Sequence, residues 1–257
     1  MRADAFLAAA EALPVRDLRD LVGPGGLVVV APHPDDESLG CGGLIAEACA
    51  RGLSVRLVVV SDGVGSHPNS PSHPPERLRD LREAETLAAA RALGLDAVHV
   101  RFLRLPDRFV PSAGPAAEAA ADAIAAAARE SGATALFVTW AHDPHCDHEA
   151  SAALARLARA RLGPVRLHAY PVWGWALPPG TEVGPAPRGA RLAIAAHLPA
   201  KRAAVAAHRS QTTGLIADDP GGFRLEPAMI ARFAQPFEIF VEVDPEVESE
   251  VDPEVEP

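Results

Sequence analysis

Residues 27–37 read LVVVAPHPDDE, and this stretch bears more directly on the fold than any other. Its first part, Leu27 to Ala31, is a continuous apolar and largely β-branched run, as is typical of strands buried on both faces of a sheet. A histidine and three acidic residues follow at once. Sites in α/β sheets collect at the carboxyl ends of strands, so the stretch predicts a central strand with a site beside it.

Apolar runs alternate with Ala-rich helical segments along most of the chain. After the first strand, the predicted elements alternate helix and strand in the order 39–50, 55–60, 76–93, 97–103, 116–129, 133–140, 148–162 and 165–170. A helix at 6–21 is predicted to precede them, and a helix at 197–208 and a strand at 237–243 to follow. This order predicts an α/β fold, a Rossmann-like three-layer sandwich with a mostly parallel sheet and right-handed crossovers.

The composition fits one globular domain, which we expect over residues 1–243. Apolar residues make up 48% of the 257 residues, enough for a sizeable core. Residues 238–257 contain nine acidic residues and no basic ones, so nine of the ten negative charges in the formal net charge of −10 fall on the end of the chain. Residues 244–257 are predicted to be a disordered acidic tail. The chain has no clustered positive charge of the kind that nucleic-acid binding needs.

The three cysteines include no Cys-x-x-Cys pair, so a disulfide framework is not expected. Cys41 and Cys146 are interpreted as small packing residues. Asp4 and Glu11 interrupt any signal-like apolar stretch, and no apolar run has membrane-spanning length. We therefore expect a soluble, cytoplasmic protein.

The loop at 32–37 carries the first group of candidate catalytic residues. Pro32 and Pro34 restrict the backbone, which reduces the entropy lost when the loop is ordered around an ion. The side chains of Asp35 and Asp36 should diverge, so one can bind a cation while the other faces a reacting centre. Helix capping accounts for one carboxylate, but two without a local Lys or Arg are better explained by a divalent metal.

A second cluster, residues 140–148 (WAHDPHCDH), follows the strand at 133–140. His145 and His148 are three residues apart, which puts them on one side of a helix start. Asp147 can orient one imidazole through a hydrogen bond. A His–carboxylate–His set with an open position is the usual catalytic zinc arrangement, so the two loops are predicted to meet around one metal. His142 is interpreted as an ordinary loop residue.

Together, the two clusters resemble the motifs of the PIG-L/LmbE family of metal-dependent deacetylases. Residues 32–37 are similar to the family's Ala-His-Pro-Asp-Asp-Glu, with proline in place of alanine, and residues 145–148 fit its His-x-Asp-His. Weaker similarity extends over about residues 27–211. The resemblance implies metal-dependent removal of an N-acyl group, acetyl above all, from an amino-sugar-like small molecule.

The resemblance also implies roles for individual residues. His33, Asp36 and His148 would bind Zn²⁺, although iron(II) suits the same donors in the cell. Asp35 would be the general base for the attacking water. His145 would be a protonated imidazole that stabilises the oxyanion, with Asp147 behind it.

Substrate contacts are less well defined. Arg82 and Asp107 are candidates by resemblance, but a helix-surface charge and a loop cap explain them equally well. His208 is a candidate pocket residue or simply a histidine at a helix end. Trp173 and Trp175 could stack on a sugar or fill a surface hollow, and hollow-filling is slightly favoured.

Three other interpretations stay open. The glycine run at 40–43 invites a nucleotide- or S-adenosylmethionine-binding domain without deacetylase activity, but lone glycine patterns are weak. A phosphohydrolase would usually hold two metals. A non-catalytic relative would be free to lose the acid–base set. The loops at 61–75 and 171–189 are expected to set specificity without revealing the substrate, and nothing in the sequence indicates an oligomeric state.

Overall fold

The computed structural model describes residues 1–244 and contains one mixed sheet. Its strands are β1 (Val15–Arg16), β2 (Gly26–Ala31), β3 (Val55–Ser61), β4 (Val100–Leu105), β5 (Ala133–Thr139), β6 (Arg166–Tyr170), β7 (Gly189–Ala193) and β8 (Phe237–Glu242). The α-helices of the described chain are α1 (Ala3–Glu11), α2 (Leu18–Val22), α3 (Asp36–Ala50), α4 (Pro75–Ala92), α5 (Gly114–Ser131), α6 (Cys146–Ala160), α7 (Leu198–Ala207), α8 (Arg209–Thr212) and α9 (Pro227–Phe233).

The strand order is β1-β7-β8-β6-β5-β2-β3-β4. Strands β4, β3, β2, β5 and β6 are parallel neighbours, whereas β8 runs antiparallel to both β6 and β7. The α/β fold with a mostly parallel sheet between helices, which the alternation predicted, is confirmed. Strands β2 and β5 are adjacent, so their carboxyl ends open side by side at one edge of the sheet.

Helices cover both faces of the sheet, and β2 shows how the core divides. Leu27, Val29 and Ala31 belong to the cluster that α3 and α7 cover. Val28 and Val30 face the other way, into the cluster beneath α5 and α6. Every residue of β2 is buried, because side chains alternate between two covered faces. The continuous apolar run follows directly from this position.

Two sequence predictions about the periphery are wrong. The helix predicted at 6–21 is broken: α1 ends at Glu11, Pro14 follows, and β1 and α2 come after it. Proline lacks the amide hydrogen that a helix interior needs, so the helix cannot continue. The sequence does not predict strand β7, which begins where the predicted loop at 171–189 ends, because its short run gives little periodic signal. Helix α3 begins at Asp36, three residues before the predicted start at 39.

The glycine run in α3 has a packing function. A Cβ atom at Gly40 would lie 2.1 Å from Tyr170 Cδ2, and one at Gly43 would lie 2.5 Å from Ile194 Cγ2. Both distances are far shorter than a van der Waals contact, so these positions must lack side chains for α3 to approach its neighbours. Small residues here therefore serve the packing of the helix.

Two further expectations concern the limits of the chain. Within residues 1–244, no helix combines the length and apolarity needed to cross a bilayer. A cytoplasmic location stays a prediction. The expected acidic tail at 244–257 lies outside the described residues except for Asp244, so its disorder and the domain boundary at 243 also stay predictions.

Candidate metal centre

The two polar loops that the sequence singled out begin at neighbouring points of the sheet. One follows β2 and leads into α3 at Asp36; the other follows β5 and leads into α6 at Cys146. The adjacent, parallel course of β2 and β5 brings the loops together. The predicted convergence of the two clusters is therefore observed.

The three residues expected to bind metal share one small volume. Asp36 Oδ2 lies 3.2 Å from His33 Nδ1 and 3.3 Å from His148 Nε2. Donors around a tetrahedral ion with bonds of about 2.0–2.1 Å stand about 3.3 Å apart, so these separations suit a shared ion. All three side chains are buried. His33, His145 and His148 also form a group whose potential ligand atoms lie within 4.8 Å of one another.

The second nitrogen of each histidine is held by carboxylates. His148 Nδ1 lies 2.9 Å from Asp143 Oδ2, and His33 Nε2 lies 3.0 Å from Asp147 Oδ2 and 3.3 Å from Asp107 Oδ1. Such partners fix the ring and raise its basicity as a ligand. His148 Nε2 is fully buried and has no hydrogen-bond partner within residues 1–244. A buried nitrogen left unpaired beside a carboxylate fits a divalent cation.

Carboxylates govern the ionisation of this cluster in the absence of an ion. Burial opposes a charge on His33, but hydrogen bonds with Asp107, Asp147 and Asp36 raise its pKa well above the usual value. Burial likewise opposes a charge on Asp36, but His148 and His33 hold its pKa well below the usual range. The cluster is thus arranged for a positive charge at its centre.

Asp143 is the anchor of the second loop, and sequence reasoning missed it. Its carboxylate accepts hydrogen bonds from the amides of Val172 (2.9 Å), Trp173 (3.1 Å) and Gly174 (2.7 Å). A Cβ at Gly174 would lie 2.9 Å from Asp143 Oδ1, so the close approach needs glycine. The glycine between two tryptophans was the available signal, but nothing in the sequence connects it to Asp143.

Asp35 lies beside the ligands in a strained conformation. Its φ is 143°, a value that non-glycine residues rarely adopt, and its amide donates to Glu37 Oε2 at 3.0 Å. Burial raises the pKa of Asp35 to about 7, and the charge of Arg82 opposes this rise. Asp35 Oδ2 lies 3.3 Å from Arg82 Nη2. A buried carboxyl with a pKa near neutrality has the properties of a proton carrier.

His145 differs from the imidazolium that the resemblance implied. Its Nδ1 accepts a hydrogen bond from the Asp147 amide at 3.2 Å, which leaves the ring proton on Nε2. Burial and the neighbouring rings of His33 and His148 lower its pKa to about 4. The Asp147 carboxylate contacts His33 rather than the ring of His145. The geometry therefore favours a neutral imidazole that donates through Nε2.

Two of the expected substrate contacts line a cavity in front of the centre. Arg82 Nη2 donates to Pro34 O at 2.6 Å, and Asp107 Oδ2 accepts from the Gly65 amide at 2.8 Å. Arg82 thus holds the loop that carries His33, and Asp107 holds the loop at 61–75. Arg82 Nε is buried without a hydrogen-bond partner in the described chain.

His208 lies beneath the cavity instead of lining it. The side chain is 1% exposed, and its Nε2 lies 2.8 Å from Glu37 Oε1 and 3.2 Å from Ser38 Oγ. Glu37 in turn accepts the amide of Asp35. The geometry favours a supporting role for His208 over a substrate contact.

The cavity has a volume of about 270 Å³, at the lower end of the range for small-molecule sites. Trp173 contributes to it, together with Phe223, whereas Trp175 packs against Arg232, whose guanidinium lies 3.6 Å from the ring centroid. Trp173 therefore lines the cavity, Trp175 packs against Arg232, and the contact of either ring with a sugar stays a prediction. The described lining is His33, Asp35, Asp36, Gly65, Ser66, Arg82, Asp107, Arg108, His145, Trp173, Gln211 and Phe223.

The remaining residues of the two clusters play smaller parts. His142 is exposed and its ring lies 5.1 Å from that of Trp140, as expected of an ordinary loop residue. Cys41 is buried in the core, which agrees with a packing role. Cys146 is exposed, so the packing interpretation does not hold for it.

Solved structures with the same fold cover most of the chain. The conserved protein TT1542 from Thermus thermophilus is 28% identical, with 86% of this chain and 95% of that one covered and a TM-score of 0.61. The N,N'-diacetylchitobiose deacetylase of Pyrococcus horikoshii is 18% identical (93% and 90% covered, TM-score 0.66). GalB, the 4-carboxy-2-hydroxymuconate hydratase of Pseudomonas putida, is also 18% identical (89% and 100% covered, TM-score 0.64). At 18% identity the last two show the fold alone.

Comparison at the level of sequence families is more specific. No curated protein matches the chain. The family described as GlcNAc-PI de-N-acetylase (PIG-L) matches residues 28–159, more than half of the chain, and this span contains both polar loops. From the match and the fold, the chain belongs to the PIG-L (LmbE-like) de-N-acetylase family.

Proposed function

We propose that this protein is a zinc-dependent hydrolase that removes an N-acyl group, acetyl in the first instance, from an amino-sugar-containing substrate. The observation that carries the proposal is that His33, Asp36 and His148 meet around one point. Asp35 lies beside them and is not one of the three proposed metal ligands. Family membership supports deacylation, and the description of the family as a GlcNAc-PI de-N-acetylase supports an amino-sugar substrate.

The donor set fits one divalent ion. Two imidazole nitrogens and one carboxylate with an open position suit Zn²⁺, and iron(II) fits the same donors. When bound by His33, Asp36 and His148, such an ion supplies Lewis-acid polarisation of a water and of the amide carbonyl. Phosphohydrolases more often use two metals, whereas here the carboxylates of Asp107, Asp143 and Asp147 already contact histidine nitrogens.

Asp35 carries the proton in this proposal. Its carboxylate accepts a proton from the attacking water and returns it to the amide nitrogen as the C–N bond breaks. An amide nitrogen is a poor leaving group, so this second transfer matters as much as the first. The pKa of about 7 that burial gives the side chain suits both transfers near neutral pH.

His145 donates a hydrogen bond from Nε2 to the carbonyl oxygen as negative charge develops there. The Asp147 amide keeps the proton on that nitrogen by donating to Nδ1. The Asp147 carboxylate holds His33, so Asp147 is a positioning residue for both rings. Arg82 and Asp107 contact the sugar hydroxyls in this proposal, because both side chains line the cavity.

A nucleotide- or S-adenosylmethionine-binding function has less support. Helix α3 opens with Asp36 and Glu37, and their negative charges repel a phosphate at this helix end. The glycine run at 40–43 packs against Tyr170 and Ile194 within the helix. The hydratase among these fold relatives shares the fold only.

The test is a deacetylation screen with metal-loaded protein. N-acetylated monosaccharides, their glycosides and sugar-containing natural products are incubated with the enzyme, and free amine is measured by fluorescent labelling. We expect amine release from some of them, abolished by a chelator and restored by Zn²⁺ or Fe²⁺. No release from any acylated amino sugar, or tight nucleotide binding without bound metal, would overturn the proposal.

A further inference from the structure

Residues 213–226, between α8 and α9, are bound tightly to the loop at 61–75. Asp218 Oδ1 accepts from Ser70 Oγ at 2.7 Å, and Asp218 Oδ2 accepts from the Ser72 amide at 2.8 Å. Asp219 Oδ2 accepts from the amide of Asn69 at 2.9 Å. Charge-assisted hydrogen bonds of this kind are the stronger ones in proteins, so the two aspartates form a clasp between the segments.

The clasped segment presents Phe223 to the cavity. The amide of Phe223 donates to Ser66 O at 2.7 Å. The preceding Gly222 lies so close to His67 that a Cβ would be 2.2 Å from its Cδ2. The backbone hydrogen bond to Ser66 and the close packing of Gly222 on His67 therefore fix the position of Phe223.

Phe223 meets Trp173 across the cavity wall. Their ring centroids are 5.5 Å apart with an interplanar angle of 81°, a stable edge-to-face arrangement. Trp173 is itself tied to the metal centre, because its amide donates to Asp143 Oδ2 at 3.1 Å. The aromatic pair is thus held at a fixed place relative to the reacting atoms.

Most of the other residues that line the cavity are polar, so Trp173 and Phe223 form its aromatic, apolar side. A pyranose ring has a C–H face that is apolar and weakly positive, whereas its hydroxyls point outwards around the ring edge. Aromatic faces carry negative charge density and suit the C–H face. Side chains such as Arg82 and Asp107 suit the hydroxyls. An acyclic acyl amine offers no such face.

We propose that Trp173 and Phe223 form a wall that binds the C–H face of a pyranose ring, and that Asp218 and Asp219 hold this wall in position. The inference rests on the proposed function, which supplies the reaction and the amino-sugar substrate; it adds the side chains that contact the sugar ring. Trp173 and Phe223 are then specificity residues, and the two aspartates are positioning residues.

The wall is tested by comparing two substrates. The readout is kcat/KM for methyl 2-acetamido-2-deoxyglucopyranoside divided by kcat/KM for N-acetylethanolamine, which has no ring. Phe223→Ala and Trp173→Ala should each lower this ratio about tenfold, the effect of one lost aromatic contact. Phe109→Ala is the matched control, since Phe109 is 78% exposed outside the cavity lining, and it should change the ratio less than about twofold. Unchanged ratios in both wall variants would overturn the proposal.

The clasp is tested by measuring KM and kcat separately in variants of Asp218 and Asp219. Asp218→Ala and Asp219→Ala should raise KM for the pyranoside several-fold and leave its kcat nearly unchanged, because they displace the wall and not the reacting groups. Metal content and the unfolding temperature show whether each variant is folded. Lowered kcat with unchanged KM would contradict the role of the clasp.

Failure of the proposed reaction can be recognised separately. If the wild-type protein releases amine from neither substrate, the deacylase proposal fails, and the wall is then measured by calorimetric titration of the same methyl glycoside into metal-loaded protein. Binding that Phe223→Ala weakens about tenfold would still support the wall. No binding to the wild-type protein would overturn it.

Discussion

The two loops that meet at the metal centre are held in different ways. The loop after β2 is held by carboxylate side chains: Glu37, two residues further on, accepts the amide of the strained Asp35, and Asp147 of the other loop contacts His33. The loop after β5 is held by backbone amides, because Asp143 accepts from residues 172–174 while it holds His148. In the proposed site, the first arrangement positions Asp35 as the proposed base, and the second secures the proposed ligand His148 and the cavity wall.

This difference leads to different expectations for mutations in the two loops. Changes in the first loop should reduce turnover while metal remains bound, if the ligands are spared. Changes in the second loop should first reduce metal affinity. Variants in each loop therefore test whether the two loops differ in this way.

The largest effect is expected at His148. His148→Ala removes a buried ligand, so metal content measured by mass spectrometry should fall close to zero and amine release with it, by about 10⁴-fold or more. His142→Ala is the matched control, because this exposed histidine lies in the same loop and should leave the metal bound. Equal metal content in the two variants would contradict the assignment of His148.

A smaller loss, about a thousandfold in kcat, is expected for Asp35→Asn. The amide keeps the shape of the side chain but cannot accept a proton from water. Metal content should stay at the wild-type level, which separates this variant from His148→Ala. Asp80→Asn, on the surface of α4, is the control for loss of a carboxylate. Full activity of Asp35→Asn would refute its role as the base.

The anchor of the second loop should show an intermediate effect on metal binding. Asp143→Ala leaves His148 Nδ1 without its partner and frees the backbone at 172–174, so metal affinity should fall about 10–100-fold. Competition with a chelator of known affinity measures the change. If zinc affinity is unaffected, the second loop does not depend on Asp143 as described.

The smallest effect is expected away from the site, in the glycine run of α3. Gly40→Ala forces a methyl group onto Tyr170 and should lower the free energy of unfolding by about 1–3 kcal/mol, seen as a lower unfolding temperature. Gly180→Ala is the control, since a Cβ atom at this position would have no neighbour within 4 Å. Loss of nucleotide binding, in place of loss of stability, would favour the alternative function.

The sequence predicted the fold and the meeting of the two polar loops for a physical reason, whereas the ligand set stays a prediction. Continuous apolar runs such as 27–31 identify strands buried on both faces, and polar residues at their carboxyl ends identify the site. Adjacent strands then bring His33 and His148 together without knowledge of any detailed contact. Pro14 marked the break in the predicted first helix, but the Ala-rich composition outweighed it.

The partners of the site residues could not be predicted from the sequence. Asp143 binds amides at 172–174, and Asp147 holds His33 instead of the ring of His145, because tertiary packing decides which groups meet. The segment at 213–226 has no strong periodicity or motif, so its contact with the loop at 61–75 gave no signal. These contacts shape the cavity, which is why the substrate was harder to predict than the chemistry.

The central claim is that three side chains from the two loops share one ion. Anomalous X-ray diffraction from crystals of the zinc-loaded protein tests it most directly. We expect one strong peak at about 2.0–2.2 Å from His33 Nδ1, Asp36 Oδ2 and His148 Nε2. A peak at another place, or none at these atoms in zinc-saturated crystals, would contradict the account.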